Sequence, residues 1–209
     1  MKYRLTIFDS DGTLADTLPW MRQIFNDLAG EHGFRKVADD EHDRFRELHG
    51  AALLQALDLP LWKVPKVALS VRQRMAERIQ DFRLFPGIGD VLGHLARQGM
   101  RLAVVSSNSS ANVKAILGRD VTQLISHFGC GASLMGKAAK LRAAVRASGI
   151  ATSETIYIGD EIRDAEAARK AGLAFGAVAW GQHRLTTLQA IRPDEIFESV
   201  ADLASLVEK

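Results

Sequence analysis

The chain contains one cysteine, five prolines and no long apolar run among its 209 residues. The single Cys130 cannot form a disulfide within the chain, and the opening residues are too few and too charged for the apolar core of a signal peptide. No apolar run approaches the roughly 18 residues that cross a bilayer. These absences argue against a disulfide-stapled secreted domain and a membrane-spanning helix. They predict a cytoplasmic protein with no membrane partner.

The sequence also lacks a strong excess of charge. Its 27 Lys and Arg against 25 Asp and Glu leave a formal net charge of +2, which is too small for a general attraction to nucleic acid. Arg72, Arg74 and Arg78 follow a solvated helix face without interleaved aromatic residues. We therefore predict no nucleic-acid partner.

What the chain has is an ordinary globular composition, with 47% hydrophobic and 25% charged residues. At about 150 residues per domain, the length predicts about 1.4 domains, which favours one domain with a sizeable insertion.

Four apolar segments that end in small, polar or acidic residues predict strands. They cover residues 3–8, 102–105, 155–158 and 173–180. Helical patterns fall between or after them, at residues 88–97, 110–117, 137–147 and 162–171. Alternating strands and helices indicate an α/β fold with a parallel sheet covered on both faces. In such sheets ligands bind beyond the carboxyl ends of the strands, where this sequence places its aspartates and serines.

Residues 18–82 interrupt this alternation with three helical patterns and no convincing strand. The first pattern repeats apolar residues from Met21 to Ala29, and the third does so from Val64 to Ile79. The middle pattern, at residues 39–57, is less regular. A small helical bundle inserted after the first strand accounts for the segment.

Asp9 and Asp11 form the most informative pair in the sequence. They stand two residues apart at the end of a hydrophobic strand, where one carboxylate can act as a nucleophile and the other as an acid. The alternative is a turn in which Asp caps the backbone and Gly12 adopts a positive φ. The pair by itself does not favour either interpretation.

A second strand end carries a polar cluster, and a lysine opens a later helix. Ser106 and Ser107 precede a helix, where hydroxyl and N–H groups suit a phosphate, although Ser109 or Asn108 could instead cap that helix. Lys137 opens the following helix and, taken alone, is more typical of a solvated surface lysine.

Asp160 and Asp164 are four residues apart at the start of another helix and predict a metal site. Carboxylate oxygens without nearby His or Cys favour Mg²⁺ over zinc. The alternative is favourable pairing of these acids with the positive end of the helix dipole.

In this order the segments resemble the motifs of the haloacid dehalogenase superfamily of phosphohydrolases, over essentially the whole chain. Residues 9–14 match its D-x-D-G-T motif and Ser106 matches the hydroxyl of its second motif. Lys137 matches the lysine of the third motif, and residues 159–164 match the G-D-x-x-x-D of the fourth. Residues 85–87 and 179–181 are similar to segments of phosphoglycolate phosphatase-like members.

The resemblance implies a Rossmann-like doubly wound parallel sheet with an inserted α-helical cap. The α/β core would comprise residues 1–15 and 83–209, and the cap would comprise residues 16–82. Residues 180–183 would border the active site, although a tryptophan such as Trp180 is more often a packing residue in such a place.

The resemblance also implies roles for the acids. Asp9 attacks phosphorus and forms an aspartyl-phosphate, while Asp11 protonates the leaving alcohol and then activates water. Mg²⁺ would be bound by the Asp9 carboxylate, the Asp11 main-chain carbonyl and the Asp160 carboxylate, with Asp164 in support. A second carboxylate at Asp11 disfavours dehalogenation.

Phosphoryl oxygens would be held by Ser106, the Ser107 N–H and Lys137. Many relatives have Lys-Pro in the third motif where this chain has Lys137-Ala138, so Lys140 is an alternative phosphate-binding lysine.

Substrate choice is assigned to the cap, where Arg46 and His49 could meet an anionic group; an exposed, salt-bridged helix face is the alternative. The implied partner is a small phosphorylated metabolite, phosphoglycolate by resemblance or another monoester such as a sugar phosphate. Two other functions stay open: a catalytically silent binding protein and a phosphomutase.

Overall fold

The centre of the fold is a six-stranded parallel sheet. A computed structural model describes residues 1–131 and 136–208. Its strands are β1 (Leu5–Phe8), β2 (Arg101–Val105), β3 (Ile125–Gly129), β4 (Thr155–Gly159), β5 (Ala174–Val178) and β6 (Glu195–Phe197). They lie in the order β3-β2-β1-β4-β5-β6, and each neighbouring pair is parallel. β1 is central, so the loop that follows it is flanked by the ends of β2 and β4.

Helices cover both faces of this sheet. They are α5 (Ile88–Arg97), α6 (Ser110–Leu124), α7 (Gly136–Ser148), α8 (Ile162–Ala171) and α9 (Leu185–Ala190). α5 and α6 pack against one face, while α7, α8 and α9 pack against the other. The predicted α/β class with a doubly wound parallel sheet is therefore confirmed.

The inner strands β1, β2 and β4 form because most of their residues are apolar and buried on both faces of the sheet. All four residues of β1 are buried, with Leu5 and Ile7 facing one apolar cluster and Phe8 facing the other. A parallel strand covered on both faces shows a continuous apolar run of this kind.

Two strands were not predicted. β3 contains Ser126 and His127 and is only partly buried, and β6 is three residues long. Neither segment carries the apolar run that identified the other strands. Helix α6 also extends seven residues beyond its predicted end, past a break at Gly118, where φ is 71° and ψ is 173°.

A separate helical layer lies between β1 and α5. It contains α1 (Leu18–His32), α2 (His42–Arg46), α3 (Gly50–Ala56) and α4 (Val64–Glu77). These helices enclose an apolar cluster of their own, which includes Leu28, Phe34 and Phe45. A second cluster, with Trp20, Met75 and Ile116, joins the layer to α6 of the core. We refer to this layer as the cap.

The domain bounds 1–15, 16–82 and 83–209 stay predictions. Residues 132–135 and 209 of the last range lie outside the described part of the chain. Among the helices of the described residues, none combines the length and the apolar character needed to cross a membrane.

Candidate active site

The loop after β1 coils tightly around Ser10. The main-chain N–H groups of residues 13–15 all donate to the Ser10 carbonyl, at 3.3, 2.9 and 2.9 Å. Gly12 has φ of +76°, and a Cβ there would lie 2.2 Å from Oδ2 of Asp160. Glycine therefore meets two demands of the loop, a left-handed backbone and the close approach of a carboxylate.

Lys137 bridges two of the sequence-predicted acids. Its Nζ lies 2.6 Å from Oδ2 of Asp9 and 2.6 Å from Oδ1 of Asp164. The lysine side chain is 13% exposed, and the two carboxylates are 5% and 0% exposed. Burial alone would lower the pKa of Lys137, but the charges of Asp164 and Asp9 outweigh it and raise the pKa above its usual value. Lys137 is thus held as a cation in contact with the predicted nucleophile.

Lys140 lies in a different environment. Its Nζ donates to the main-chain carbonyls of Ser106, at 3.1 Å, and Gly131. Burial lowers the pKa of Lys140. Of the two candidate lysines, the structure places Lys137 against the acids and Lys140 against neutral carbonyls.

Three buried carboxylates converge beside this lysine. One oxygen from each of Asp9, Asp160 and Asp164 lies within 4.8 Å of the others. Burial raises the pKa of Asp9 to about 6, and burial and neighbouring carboxylates raise that of Asp160 well above its usual value. For Asp164, burial acts in the same direction, but the charges of Lys137 and Arg163 hold the pKa below its usual value.

The donor set of this cluster fits Mg²⁺. The three carboxylates carry more negative charge than Lys137 neutralises, and hard oxygen ligands at short mutual distances suit a divalent cation. Among the described residues, the Asp11 carboxylate is not part of this cluster. Asp164, for which the resemblance implied a supporting role, lies inside the cluster.

Hydrogen bonds orient the two acids that follow β4. Asp160 accepts from the Thr13 hydroxyl at 2.6 Å and from the Gln182 N–H at 2.8 Å, one bond on each carboxylate oxygen. Asp164 accepts from the Tyr157 hydroxyl at 3.1 Å and, through its other oxygen, from the Glu161 N–H at 3.1 Å. Both carboxylates are therefore fixed in position by the core.

Asp11 faces a different partner, Asn108. The Asn108 amide donates to both carboxylate oxygens, at 3.3 and 3.1 Å. Burial raises the pKa of Asp11, and the Asn108 amide opposes this because it stabilises the ionised form. A half-buried carboxyl with a raised pKa can hold a proton closer to neutral pH, as a general acid requires.

Ser106 and Ser107 follow β2 next to this pair. Ser106 is buried and its hydroxyl accepts from the Asn108 N–H at 3.1 Å, whereas Ser107 is exposed. Both serines and Lys137 line an open cavity of about 380 Å³. The helix cap is Ser109, whose side chain accepts from the Asn112 N–H, so Asn108 is left to hold Asp11.

The two cap residues predicted for specificity lie at the cap–core boundary. Arg46 donates to main-chain carbonyls of the core, from Nε to Gln182 at 2.7 Å and from one Nη to Gly181 at 2.9 Å. His49 is exposed, and its ring centroid lies 6.3 Å from that of His183. The Arg46 guanidinium is therefore already engaged by the core backbone.

Sequence reasoning did not assign the task of holding the acids in place to the four residues that perform it. They are Thr13, Asn108, Tyr157 and Gln182. Thr13 and Asn108 stood inside segments already singled out, so their positions at strand ends were an available signal. Tyr157 lies within a strand, so the sequence offered no sign of its role. Gln182 was expected only to border the site, and its hydrogen bond to Asp160 comes from the main chain, which side-chain identity does not reveal.

Comparisons with known proteins find relatives over most of the chain. The haloacid dehalogenase-like hydrolase family matches residues 6–178. A phosphoglycolate phosphatase from Synechococcus elongatus is 32% identical over 202 residues, which cover 96% of this chain and 95% of that protein.

Solved structures with the same fold include two at lower identity. A haloacid dehalogenase-like hydrolase from Streptococcus pneumoniae aligns with a TM-score of 0.78 and 21% identity, over 98% of both chains. CbbY from Rhodobacter sphaeroides, in complex with phosphate, aligns with a TM-score of 0.75 and 21% identity, over 99% of this chain and 100% of that one. At such identities the likeness concerns the fold.

Proposed function

The chain belongs to the haloacid dehalogenase-like hydrolase family, and from that premise we propose that it hydrolyses small phosphate monoesters, with Mg²⁺, through an aspartyl-phosphate on Asp9. The resemblance inferred from the four motifs is thereby confirmed at the level of the family. The observation that carries the mechanism is the contact of Lys137 with Asp9 and Asp164, beside Asp160 and close to a separately held Asp11.

In the first half of the reaction, an Asp9 carboxylate oxygen attacks phosphorus and the bond to the leaving oxygen breaks. Asp11 gives its proton to that oxygen, so the leaving group departs as an alcohol. Lys137 and the N–H groups after β2 would stabilise the negative charge of the phosphoryl oxygens. The raised pKa of Asp11 suits its role as the proton donor.

In the second half, the ionised Asp11 takes a proton from water, and the water oxygen attacks phosphorus. The phosphorus–oxygen bond to Asp9 breaks, which releases inorganic phosphate and restores both carboxyl groups. Asp9, Asp160 and the Asp11 carbonyl would hold Mg²⁺, which when bound draws the phosphoryl oxygens toward the site and offsets their charge.

The proposed substrate class is a small phosphorylated metabolite. Phosphoglycolate is the first candidate because the relative from Synechococcus elongatus, which is 32% identical, is named a phosphoglycolate phosphatase. The cap would cover the leaving group and exclude water. Arg46 and His49 stay candidates for substrate specificity because they lie where the cap meets the core.

The direct test is phosphate release from an aryl phosphate, phosphoglycolate, a sugar phosphate and a nucleotide, each with Mg²⁺ and with EDTA. We expect turnover that requires Mg²⁺, with the highest kcat/KM for a small monoester. A folded protein that releases no phosphate from any substrate would instead be a binding protein. Release or exchange that appears only with an acceptor sugar would identify a phosphomutase.

Mg²⁺ is expected to stabilise the fold more strongly at pH 7.5 than at pH 5. The pKa of Asp9 is about 6 in the folded protein and 3.8 as its reference value, so the folded state binds protons more tightly between these values. Without metal, the contribution of Asp9 to the free energy of unfolding is therefore greatest at low pH and is lost as the pH rises through about 6. At pH 7.5 the Asp9 carboxylate is ionised and free for a cation, whereas at pH 5 protons compete for it.

The measurement is the melting temperature with Mg²⁺ and with EDTA. At 100 times the Mg²⁺ dissociation constant we expect about 2.7 kcal/mol of stabilisation, or about 5–10 °C for a chain of this size. The rise at pH 5 should be less than half as large. In Asp160→Asn, which loses one cluster carboxylate, Mg²⁺ should have little effect. Equal rises at both pH values, or in the variant, would contradict the assignment.

A further inference from the structure

Residues 181–183 of the core, here the 181–183 loop, wrap around Asp160. The Gln182 N–H donates to Oδ2 of Asp160 at 2.8 Å, and the His183 N–H donates to the main-chain carbonyl of Asp160 at 3.2 Å. A Cβ on Gly181 would lie 2.0 Å from Cβ of Asp160. The loop and Asp160 are packed so closely that the loop cannot shift without moving the carboxylate or breaking these bonds.

The same two peptide groups are bound from the opposite side by Arg46 of the cap. One Nη of Arg46 donates to the Gly181 carbonyl at 2.9 Å, and Nε donates to the Gln182 carbonyl at 2.7 Å. The Gly181 carbonyl and the Gln182 N–H belong to one peptide group, and the Gln182 carbonyl and the His183 N–H belong to the next. Each peptide group therefore links the Arg46 guanidinium to Asp160.

Arg46 strengthens the hydrogen bonds that the 181–183 loop makes to Asp160. A cation that donates to a peptide carbonyl polarises the peptide and makes its N–H a better donor on the other side. The guanidinium presents its donors in a fixed planar fork, so it also sets the orientation of both peptide groups. Arg46 is the last residue of α2, beside the buried Phe45 of the cap, so these bonds exist only while the cap lies over the core.

We propose that Arg46 is a positioning residue that acts through the 181–183 loop to hold the Asp160 carboxylate for Mg²⁺. Cap closure and Mg²⁺ binding then favour each other, since any coupling between two sites is reciprocal. The inference rests on the proposed function for its metal, and it gives Arg46 a role that does not require contact with substrate.

Arg184 supplies a matched control. It also joins the cap to the core, through ion pairs with Asp43 of α2 at 3.3 Å and with Glu47, the residue after α2, at 3.4 Å, but these ion pairs do not involve the loop peptides. Loss of Arg184 thus weakens the cap–core boundary without removing a bond to the peptides that bind Asp160.

The test is calorimetric titration of Mg²⁺ into substrate-free protein. We expect Arg46→Ala to weaken Mg²⁺ binding about tenfold, the low end of the range for groups that orient metal ligands. Arg46→Lys should weaken Mg²⁺ binding less than Arg46→Ala does, because the lysine ammonium can replace one of the two hydrogen bonds of the guanidinium. Arg184→Ala should bind Mg²⁺ as the wild type does. The melting temperature in EDTA checks that each variant is folded.

Different results overturn different claims. An unchanged Mg²⁺ dissociation constant in folded Arg46→Ala and Arg46→Lys would overturn the Arg46 inference and leave the phosphatase proposal standing, above all if only the KM for substrate rises. An equal loss in Arg184→Ala would reduce Arg46 to a general cap contact and also overturn the inference. A wild type that binds no Mg²⁺ would overturn both proposals.

Discussion

Asp9→Asn is expected to reduce phosphate release by about 10⁴-fold or more, the scale seen when a nucleophile is removed. The amide has no charge and is a poor nucleophile, so the aspartyl-phosphate cannot form. The variant should still fold, because Lys137 keeps its contact with Asp164 and the cluster loses one of its crowded negative charges. The measurement is the rate of phosphate release at saturating Mg²⁺, together with the melting temperature in EDTA.

The matched control for this variant is Asp16→Asn, the same chemical change at an exposed aspartate a few residues further along the chain. Its activity should stay within about twofold of the wild type, as is usual for surface changes. An Asp9→Asn protein that retains more than a small percentage of the wild-type rate, on any substrate of the panel, would remove Asp9 from the mechanism.

Lys137→Met should have large effects on both stability and activity. Removal of the cation leaves Asp9 and Asp164 buried without their shared partner, a change that costs about 3–5 kcal/mol at a buried ion pair. The loss should be smaller at pH 5 than at pH 7.5, because Asp9 can then take up a proton. Activity should fall by about 10²-fold or more, since a charge that stabilises the transition state is gone. Denaturant unfolding in EDTA and steady-state kinetics with Mg²⁺ measure the two effects.

Lys140→Met tests the alternative third-motif lysine. It removes hydrogen bonds to the carbonyls of Ser106 and Gly131, for which we expect about 1 kcal/mol of destabilisation and less than a tenfold loss of activity. The opposite result, an inactive Lys140→Met beside an active Lys137→Met, would transfer the phosphate-binding role to Lys140.

Much of the fold followed from local sequence patterns. A buried parallel strand needs apolar residues on both faces, so residues 3–8 and 155–158 were recognisable without their neighbours. β3 escaped prediction because an edge strand that is only partly buried tolerates Ser126 and His127. β6 escaped because three residues are too few to show a period.

Some residues of the candidate site could likewise be predicted from the sequence, and others could not. Asp9 and Asp160 were predicted at one edge of the sheet because parallel strands end there, and Asp164 was predicted beside them because it lies at the start of the next helix, four residues after Asp160. Asn108 was treated as a possible helix cap, and only the structure shows its amide on both oxygens of Asp11. Arg46 was expected near substrate, whereas its bonds go to the backbone of the core.

The sequence by itself therefore determined the family and the α/β architecture and predicted the acids of the site, because each depends on residue type and on spacing along the chain. Tertiary structure alone decided that Lys137, and not Lys140, lies against Asp9, 128 residues earlier in the chain. It also decided that Arg46 reaches the 181–183 loop, some 135 residues away. Hydrogen bonds and ion pairs act over about 3 Å, and neighbours at that distance are chosen by the packing of the sheet and cap.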